Sequence, residues 1–124
     1  MNVVDSSGWI EYFINGANAD VFAPPIQDSE SLIVPMICLY EVFKRVLLEL
    51  GDDRALKTIG QMSLGTVVDL DRTIAIQGAQ ISLDVKLAMA DSIILATARR
   101  YNATLWTQDE HFKDLEGVRY IEKK

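Results

Sequence analysis

The chain is poor in residues that several classes of small protein depend on. Its single cysteine, Cys38, cannot close an intrachain disulfide, which excludes a disulfide-stapled scaffold. Its single histidine, His111, has no cysteine partners for a zinc site, and we expect it at a helix start without a chemical role. No apolar run approaches the ~20 residues that span a bilayer. An apolar segment beginning at Asn2 or Val3 leaves no room for a signal peptide, so we expect a cytoplasmic protein.

Positive charge is also scarce. Twelve Lys and Arg residues stand against eighteen Asp and Glu residues, which gives a net charge of −6. Non-specific affinity for nucleic acid comes mainly from basic groups that neutralise phosphates. An acidic chain therefore suits a polyanionic partner only if metal ions offset carboxylates that converge. Two divalent ions would add four positive charges and reduce the net charge from −6 to −2.

The remaining composition is that of a globular domain. Hydrophobic residues make up 49% of the 124 residues and charged residues 24%. A chain of this length buries roughly two-thirds of the surface that its unfolded form exposes. No internal repeat, low-complexity tract or linker divides it. We therefore expect residues 1–124 to form a single domain.

Short apolar segments alternate with helical patterns along the chain. The predicted strands are Asn2–Asp5, Ser31–Val34, Thr66–Leu70, Ala103–Trp106 and, as a fifth candidate, Val118–Ile121. The predicted helices are Ser6–Asn15, Asn18–Gln27 (a helix or turn), Met36–Leu50, Asp52–Leu64, Asp69 or Asp71 to Val85, and Met89–Tyr101. Continuously apolar strands between helices indicate a parallel sheet covered on both faces. The predicted fold class is α/β, a three-layer α/β/α sandwich with a short parallel sheet of about five strands.

Several acids follow predicted strands. Asp5 ends the first strand, Asp69 and Asp71 end the third, and Asp109 lies three residues beyond Trp106 in the fourth. Ligands of open parallel sheets bind beyond the carboxyl ends of the strands, where the strand order reverses. Since the sequence does not give strand order, the convergence of Asp5 and Asp109 is an inference.

Both of these acids have a purely structural alternative, because each lies at the start of a predicted helix or turn. Asp5 is an acceptable N-cap for the first helix, as are the two serines that follow it. The segment from Thr107 to Glu110 fits a capping box, with Thr107 as the cap.

Asp91 is the most informative single acid. On a helix its neighbours three and four positions away are Leu87, Ala88, Ile94 and Leu95, which form an apolar stripe. A carboxylate in such a stripe is costly to bury unless a positive or hydrogen-bonding group compensates it. The alternative is that the helix starts at Ser92 and Asp91 is its N-cap.

Glu41 permits two interpretations. It lies nearly opposite the apolar side of its helix, where an i,i+4 pair with Arg45 would make an ordinary solvated face. Ile37 and Leu48 flank Glu41 on the same side, so this face could instead line a cleft.

Carboxylates gathered at the carboxyl ends of the strands suit Mg²⁺ or Mn²⁺ and phosphoryl chemistry, and without metal at least one of them should have a raised pKa. Gly-rich phosphate loops and a Ser/His/Asp set are absent.

Four segments carry a resemblance to a known family. They are Val3-Val4-Asp5-Ser6-Ser7, Tyr40-Glu41-Val42, Ala90-Asp91-Ser92-Ile93-Ile94-Leu95-Ala96-Thr97-Ala98 and Leu105-Trp106-Thr107-Gln108-Asp109-Glu110-His111-Phe112. In order and approximate spacing they resemble the PIN-domain nucleases, over essentially the whole chain. The length and the lack of extensions resemble, more narrowly, the VapC-type toxins of toxin–antitoxin modules.

The resemblance implies an acidic quartet and an activity. Asp5, Glu41, Asp91 and Asp109 match the family's Mg²⁺- or Mn²⁺-binding acids, and Ser6 and Thr107 match its supporting hydroxyl residues. It implies a metal-dependent endoribonuclease with an RNA substrate, a cognate antitoxin, a homodimer and no membrane association. The available phosphate contacts are Lys44, Arg45, Lys57, Arg72, Lys86, Arg99 and Arg100. The alternative hypotheses are a non-catalytic protein-binding module on the same scaffold and a small-molecule phosphatase.

Overall fold

A five-stranded sheet forms the centre of the computed structural model, which describes Met1–Lys124. The strands are β1 (Asn2–Val4), β2 (Leu32–Pro35), β3 (Thr66–Val68), β4 (Thr104–Thr107) and β5 (Val118–Tyr120). Their order is β3-β2-β1-β4-β5, and every neighbouring pair is parallel. The predicted parallel sheet of about five strands is therefore confirmed.

Six helices cover the sheet in an α/β/α arrangement, as predicted. They are α1 (Ser6–Phe13), α2 (Ala19–Gln27), α3 (Met36–Leu50), α4 (Asp52–Met62), α5 (Arg72–Val85) and α6 (Met89–Arg100). Two short 3₁₀ turns, Ser29–Ser31 and Glu110–Phe112, complete the regular structure. None of the helices has the length and apolar character needed to cross a membrane.

The strand order reverses beside β1. The chain passes from β1 outward to β2 and β3, and then returns to place β4 on the other side of β1. Val4 of β1 is in register with Trp106 of β4, and the Asp5 N–H donates to the Trp106 carbonyl at 2.9 Å. The carboxyl ends of β1 and β4 therefore form the topological switch point, where open α/β sheets bind ligands.

Close packing in the core fixes the positions of α6 and of the start of α1. Helix α6 is buried along Ser92–Ala98, so it packs as an internal helix and not as a surface one. At the start of α1, a Cβ on Gly8 would come within 2.7 Å of the Phe22 ring and 2.8 Å of Val4. Only glycine permits this close approach of α1 to β1, and the approach sets the position of the residues that follow Asp5.

Candidate metal centre

Asp5 stands at the junction of β1 and α1, where it is the N-cap of the helix. Its Oδ2 accepts hydrogen bonds from Ser7 Oγ (2.7 Å), Thr107 Oγ1 (2.9 Å) and the Ser7 N–H (3.4 Å), and none of them reaches Oδ1. The residue is only 3% exposed. Burial raises the pKa of Asp5, the bonds from Ser7 and Thr107 oppose the rise, and the charge of Asp109 adds to it.

Glu41 faces the same region from α3. Ser6 Oγ donates to Glu41 Oε1 at 2.7 Å, a contact between residues 35 positions apart. Arg45 pairs instead with Glu49, at 2.6 Å. The expected Glu41–Arg45 surface pair is therefore wrong, and the cleft-lining interpretation of Glu41 is the one that fits.

Asp91 is the third residue of α6, which begins at Met89 with Ala88 as its N-cap. The capping alternative, with the helix starting at Ser92, is therefore wrong. No protein group donates a hydrogen bond to the half-buried Asp91 carboxylate. Burial, followed by the negative charges of Asp5, Asp109 and Glu41, raises the pKa of Asp91 to about 6, while His111 acts in the opposite direction.

Thr107 links two of the acids. Its buried hydroxyl donates to Asp5 Oδ2 and accepts from the Asp109 N–H, both at 2.9 Å. Asp109, and not Thr107, caps the following 3₁₀ turn, because Asp109 Oδ1 accepts from the His111 N–H at 3.0 Å. The predicted capping box is thus wrong in its cap, and Thr107 is the last residue of β4.

All four predicted acids therefore lie in one cluster, in which the charges of Asp5, Glu41 and Asp109 all act on Asp91. Each keeps at least one carboxylate oxygen without a protein hydrogen bond. No Lys or Arg pairs with any of them, since the two ion pairs of the structure are Arg45–Glu49 and His111–Asp109. A concentration of unneutralised carboxylate oxygens is the donor set that a hard divalent cation takes.

The three potential metal ligands that lie nearest to one another include His111, for which the sequence analysis expected no chemical role. Ligand atoms of Asp91, Asp109 and His111 lie within 4.8 Å of one another. Asp5 and Glu41 stand outside this group but close enough to raise the pKa of Asp91. The signal that could have found His111 is its place two residues after Asp109, within a single predicted turn.

The acids after the third strand do not join the site. Asp69 and Asp71 are exposed, and Asp71 caps α5 by accepting from the Ile74 N–H at 2.9 Å. They follow β3, the edge strand that is separated from β1 by β2.

Fold and site together define an α/β/α protein with an acidic, cation-ready cluster at the switch point of its sheet. The family model of the PIN domain matches residues 3–118. The chain belongs to the PIN domain family, as the four segments of its sequence indicated. No protein with a curated description matches the sequence significantly.

Solved structures share the whole fold. A toxin–antitoxin complex from Klebsiella pneumoniae contains a chain with a TM-score of 0.86 and 20% identity, covering 100% of both chains. Mycobacterium tuberculosis VapC20, described as a sarcin-ricin loop cleaving toxin, has a TM-score of 0.78 and 13% identity over 98% of each chain. DNA-bound VapBC from Salmonella typhimurium has a TM-score of 0.74 and 20% identity over 98% of each chain. At these identities the likeness establishes a common fold.

Proposed function

We propose that this protein is a metal-dependent endoribonuclease and the toxin component of a type II toxin–antitoxin system. The observation that carries the proposal is the convergence of four acids, without a neutralising Lys or Arg, at the switch point of the sheet. Membership of the PIN domain family supports a nuclease. The M. tuberculosis relative, described as a toxin that cleaves the sarcin-ricin loop, supports RNA as the substrate.

Asp5, Glu41, Asp91 and Asp109 would hold Mg²⁺ or Mn²⁺. Such an ion, when bound, supplies Lewis-acid stabilisation of the charge that develops on a phosphodiester during hydrolysis. The chain's own contribution is to orient the ligands. Ser7 and Thr107 bind Asp5 through Oδ2 and leave Oδ1 for a ligand.

Ser6 orients Glu41 in the same way. Its hydroxyl donates to Glu41 Oε1, and Oε2 has no protein hydrogen bond. Both predicted hydroxyl residues, Ser6 and Thr107, therefore act in this proposal by fixing carboxylates, one on each side of the site.

Cations border the acids on two sides, as an RNA backbone would require. Lys44 and Arg45 line a groove with Ser6 and Glu41. Lys123 lines a second groove with Asp109 and His111, and Arg45, Lys123 and Lys124 line a third between them. Lys44 and Lys123 are therefore the cations placed to contact phosphates on either side of a scissile bond, although Glu110 and Glu122 also line the groove of Lys123.

Most of the cations considered from the sequence lie elsewhere. Lys57, Arg72, Lys86, Arg99 and Arg100 line none of the three grooves. Arg99 lines a pocket with Thr104, the first residue of β4, and this pocket therefore lies at the amino end of β4, away from the acids at its carboxyl end. Lys123 and Lys124 were not anticipated, because they follow the last strand and belong to no motif.

The proposal also includes two protein partners, a cognate antitoxin and a second copy of this chain in a homodimer. In this proposal residues 1–124 form a single nuclease domain, and the protein acts in the cytoplasm. The Klebsiella and Salmonella relatives, described as a toxin–antitoxin complex and as VapBC, support the antitoxin. Exposed leucines and a methionine are available for protein partners. Leu48 on α3 and Leu56 on α4 are exposed, and Leu83 and Met89 line one apolar groove between α5 and α6.

The test is cleavage of a labelled structured RNA by the wild type, Asp5→Asn and a matched control, Asp84→Asn. Asp84 is an exposed acid on α5 outside the cluster. With Mg²⁺ or Mn²⁺ we expect the wild type and Asp84→Asn to cleave, and Asp5→Asn to lose at least ~100-fold in rate while remaining folded by circular dichroism, since metal-held charge is worth several kcal/mol. A chelator should silence all three.

Cleavage by Asp5→Asn at the wild-type rate would overturn the proposal. Two other outcomes would favour the alternative functions. A wild type that shows neither a thermal shift with divalent ions nor RNA cleavage would favour a protein-binding module. Turnover of a chromogenic phosphate monoester without RNA cleavage would favour a phosphatase.

A further inference from the structure

His111 lies at the mouth of the acidic cluster. Its side chain is 74% exposed, and Nδ1 lies 3.1 Å from Asp109 Oδ1. A ligand atom of the ring also lies within 4.8 Å of ligand atoms of both Asp91 and Asp109. The PIN-like acidic quartet does not include this residue.

The backbone holds the ring in that place. Asp109 caps the 3₁₀ turn Glu110–Phe112 and accepts from the His111 N–H at 3.0 Å, so one carboxylate contacts both the backbone and the ring of the same residue. Phe112, the next residue, is fully buried in the core and anchors the turn. The imidazole and the Asp109 carboxylate are thereby kept on the same side of the turn.

The spacing of His111 and Asp109 matches that of neighbouring ligands on one ion. With metal–ligand bonds of about 2.0–2.2 Å, adjacent ligands of an octahedral cation are about 3 Å apart and opposite ones just over 4 Å apart. The Nδ1–Oδ1 distance of 3.1 Å corresponds to an adjacent pair. The remaining distances, up to 4.8 Å, require a small adjustment of exposed or half-buried side chains.

We propose that His111 supplies a nitrogen ligand to the divalent cation of this centre and biases the centre toward Mn²⁺ over Mg²⁺. The inference depends on the metal centre of the proposed function but not on its RNA substrate. Mg²⁺ takes oxygen ligands and keeps its waters, whereas first-row transition ions accept imidazole nitrogen more readily. A site with carboxylates and one imidazole therefore gains affinity for Mn²⁺ that carboxylates alone would not provide.

The decisive experiment is electron spin-echo envelope modulation of the wild-type protein loaded with Mn²⁺. A directly bound imidazole produces a ¹⁴N modulation, which we expect in the wild type and not in His111→Ala. In parallel, Mn²⁺ and Mg²⁺ affinities are measured by titration and competition on metal-free protein. We expect His111→Ala to lose at least about tenfold in Mn²⁺ affinity, because losing even a group that only orients a metal ligand costs about that much, with less than a twofold change for Mg²⁺. Lys113→Ala, at a nearby exposed residue, is the control and should change neither.

Absence of ¹⁴N modulation in Mn²⁺-loaded wild type would overturn the inference and leave His111 as a partner of Asp109 alone. Equal losses for Mn²⁺ and Mg²⁺ in His111→Ala would overturn the proposed selectivity. In both cases divalent-dependent RNA cleavage that is lost in Asp5→Asn would leave the proposed function standing. A wild type that binds neither ion would overturn both.

Discussion

Replacing Asp91 with asparagine should make the metal-free protein more stable while removing the proposed nuclease activity. The pKa of Asp91 rises from 3.8 to about 6 in the folded protein, mainly through burial and then through the charges of Asp5, Asp109 and Glu41. Each pKa unit corresponds to about 1.4 kcal/mol, so the ionised form costs at most about 3 kcal/mol. Because the side chain is half-buried, solvent screening reduces this, and we expect a gain of about 1 kcal/mol for Asp91→Asn at pH 7.5.

The difference in stability between Asp91→Asn and the wild type should increase with pH. A carboxyl whose pKa is raised by folding favours the folded state below its unfolded pKa, and this contribution is lost as pH rises through the folded pKa. The wild type should therefore match Asp91→Asn below about pH 4 and fall behind it as pH rises toward and beyond 6. Urea unfolding with chelator present, at pH 4 and pH 7.5, measures the difference, with Asp84→Asn as the control.

At pH 7.5, divalent ions should make the wild type more stable than Asp91→Asn. An ion at one hundred times its dissociation constant stabilises the folded wild type by about 2.7 kcal/mol, which exceeds the expected gain of the variant. Asp91→Asn lacks a ligand and should show a much smaller shift. A variant that is less stable than the wild type without metal at pH 7.5, or equally displaced at both pH values, would refute the argument that Asp91 is held in a repulsive cluster.

Two further predictions concern the groups around the acids. Thr107→Val should lower stability by about 1–3 kcal/mol in urea unfolding at pH 7.5, because the buried hydroxyl binds both Asp5 and the Asp109 N–H; an unchanged midpoint would show that this bridge does not stabilise the fold. Lys44→Glu and Lys123→Glu, made in the inactive Asp5→Asn protein, should each weaken RNA binding about tenfold in fluorescence anisotropy and reduce its salt dependence. Lys57→Glu, outside the grooves, should have little effect, and equal losses in all three would contradict the proposed RNA path.

Local patterns were sufficient for the elements of the fold. Continuous apolar runs such as Leu32–Val34 and helical spacing such as that of α3 are local properties, and both appear where predicted. Strand order is not local, because it depends on which faces the helices cover. The meeting of β1 and β4, which brings Asp5 toward Asp109, could therefore only be inferred.

The start of α6 shows how tertiary packing can override a capping signal. Ala88, the observed N-cap, has no side-chain acceptor, whereas Asp91 has one, so capping alone allowed a later start at Ser92 beside the predicted start at Met89. The continuous burial of Ser92–Ala98 secures the helix without a side-chain cap. Asp91 then lies inside the first turn, where its carboxylate faces the other acids.

Glu41 and His111 depended on contacts that no spacing rule contains. Glu41 lies on a face with polar neighbours in sequence, and only the position of α1 brings Ser6 to it. His111 was discounted because a lone histidine has no sequence partner for zinc. Its neighbours in space are carboxylates, and a carboxylate site needs no second histidine.

The cluster is costly to the folded chain, and its charges also act on the core residue Cys38. Burial, together with the charges of Asp5 and Glu41, raises the pKa of the Cys38 thiol, so that this residue stays neutral beneath the site. A lysine or arginine among the acids would relieve the repulsion, yet the nearest arginine on α3, Arg45, pairs with Glu49 instead. A permanent internal cation would also occupy the oxygens that a ligand needs. In the proposed function, leaving the charge unneutralised keeps the site open to a divalent ion, and that ion would remove the repulsion that otherwise keeps a phosphate chain away.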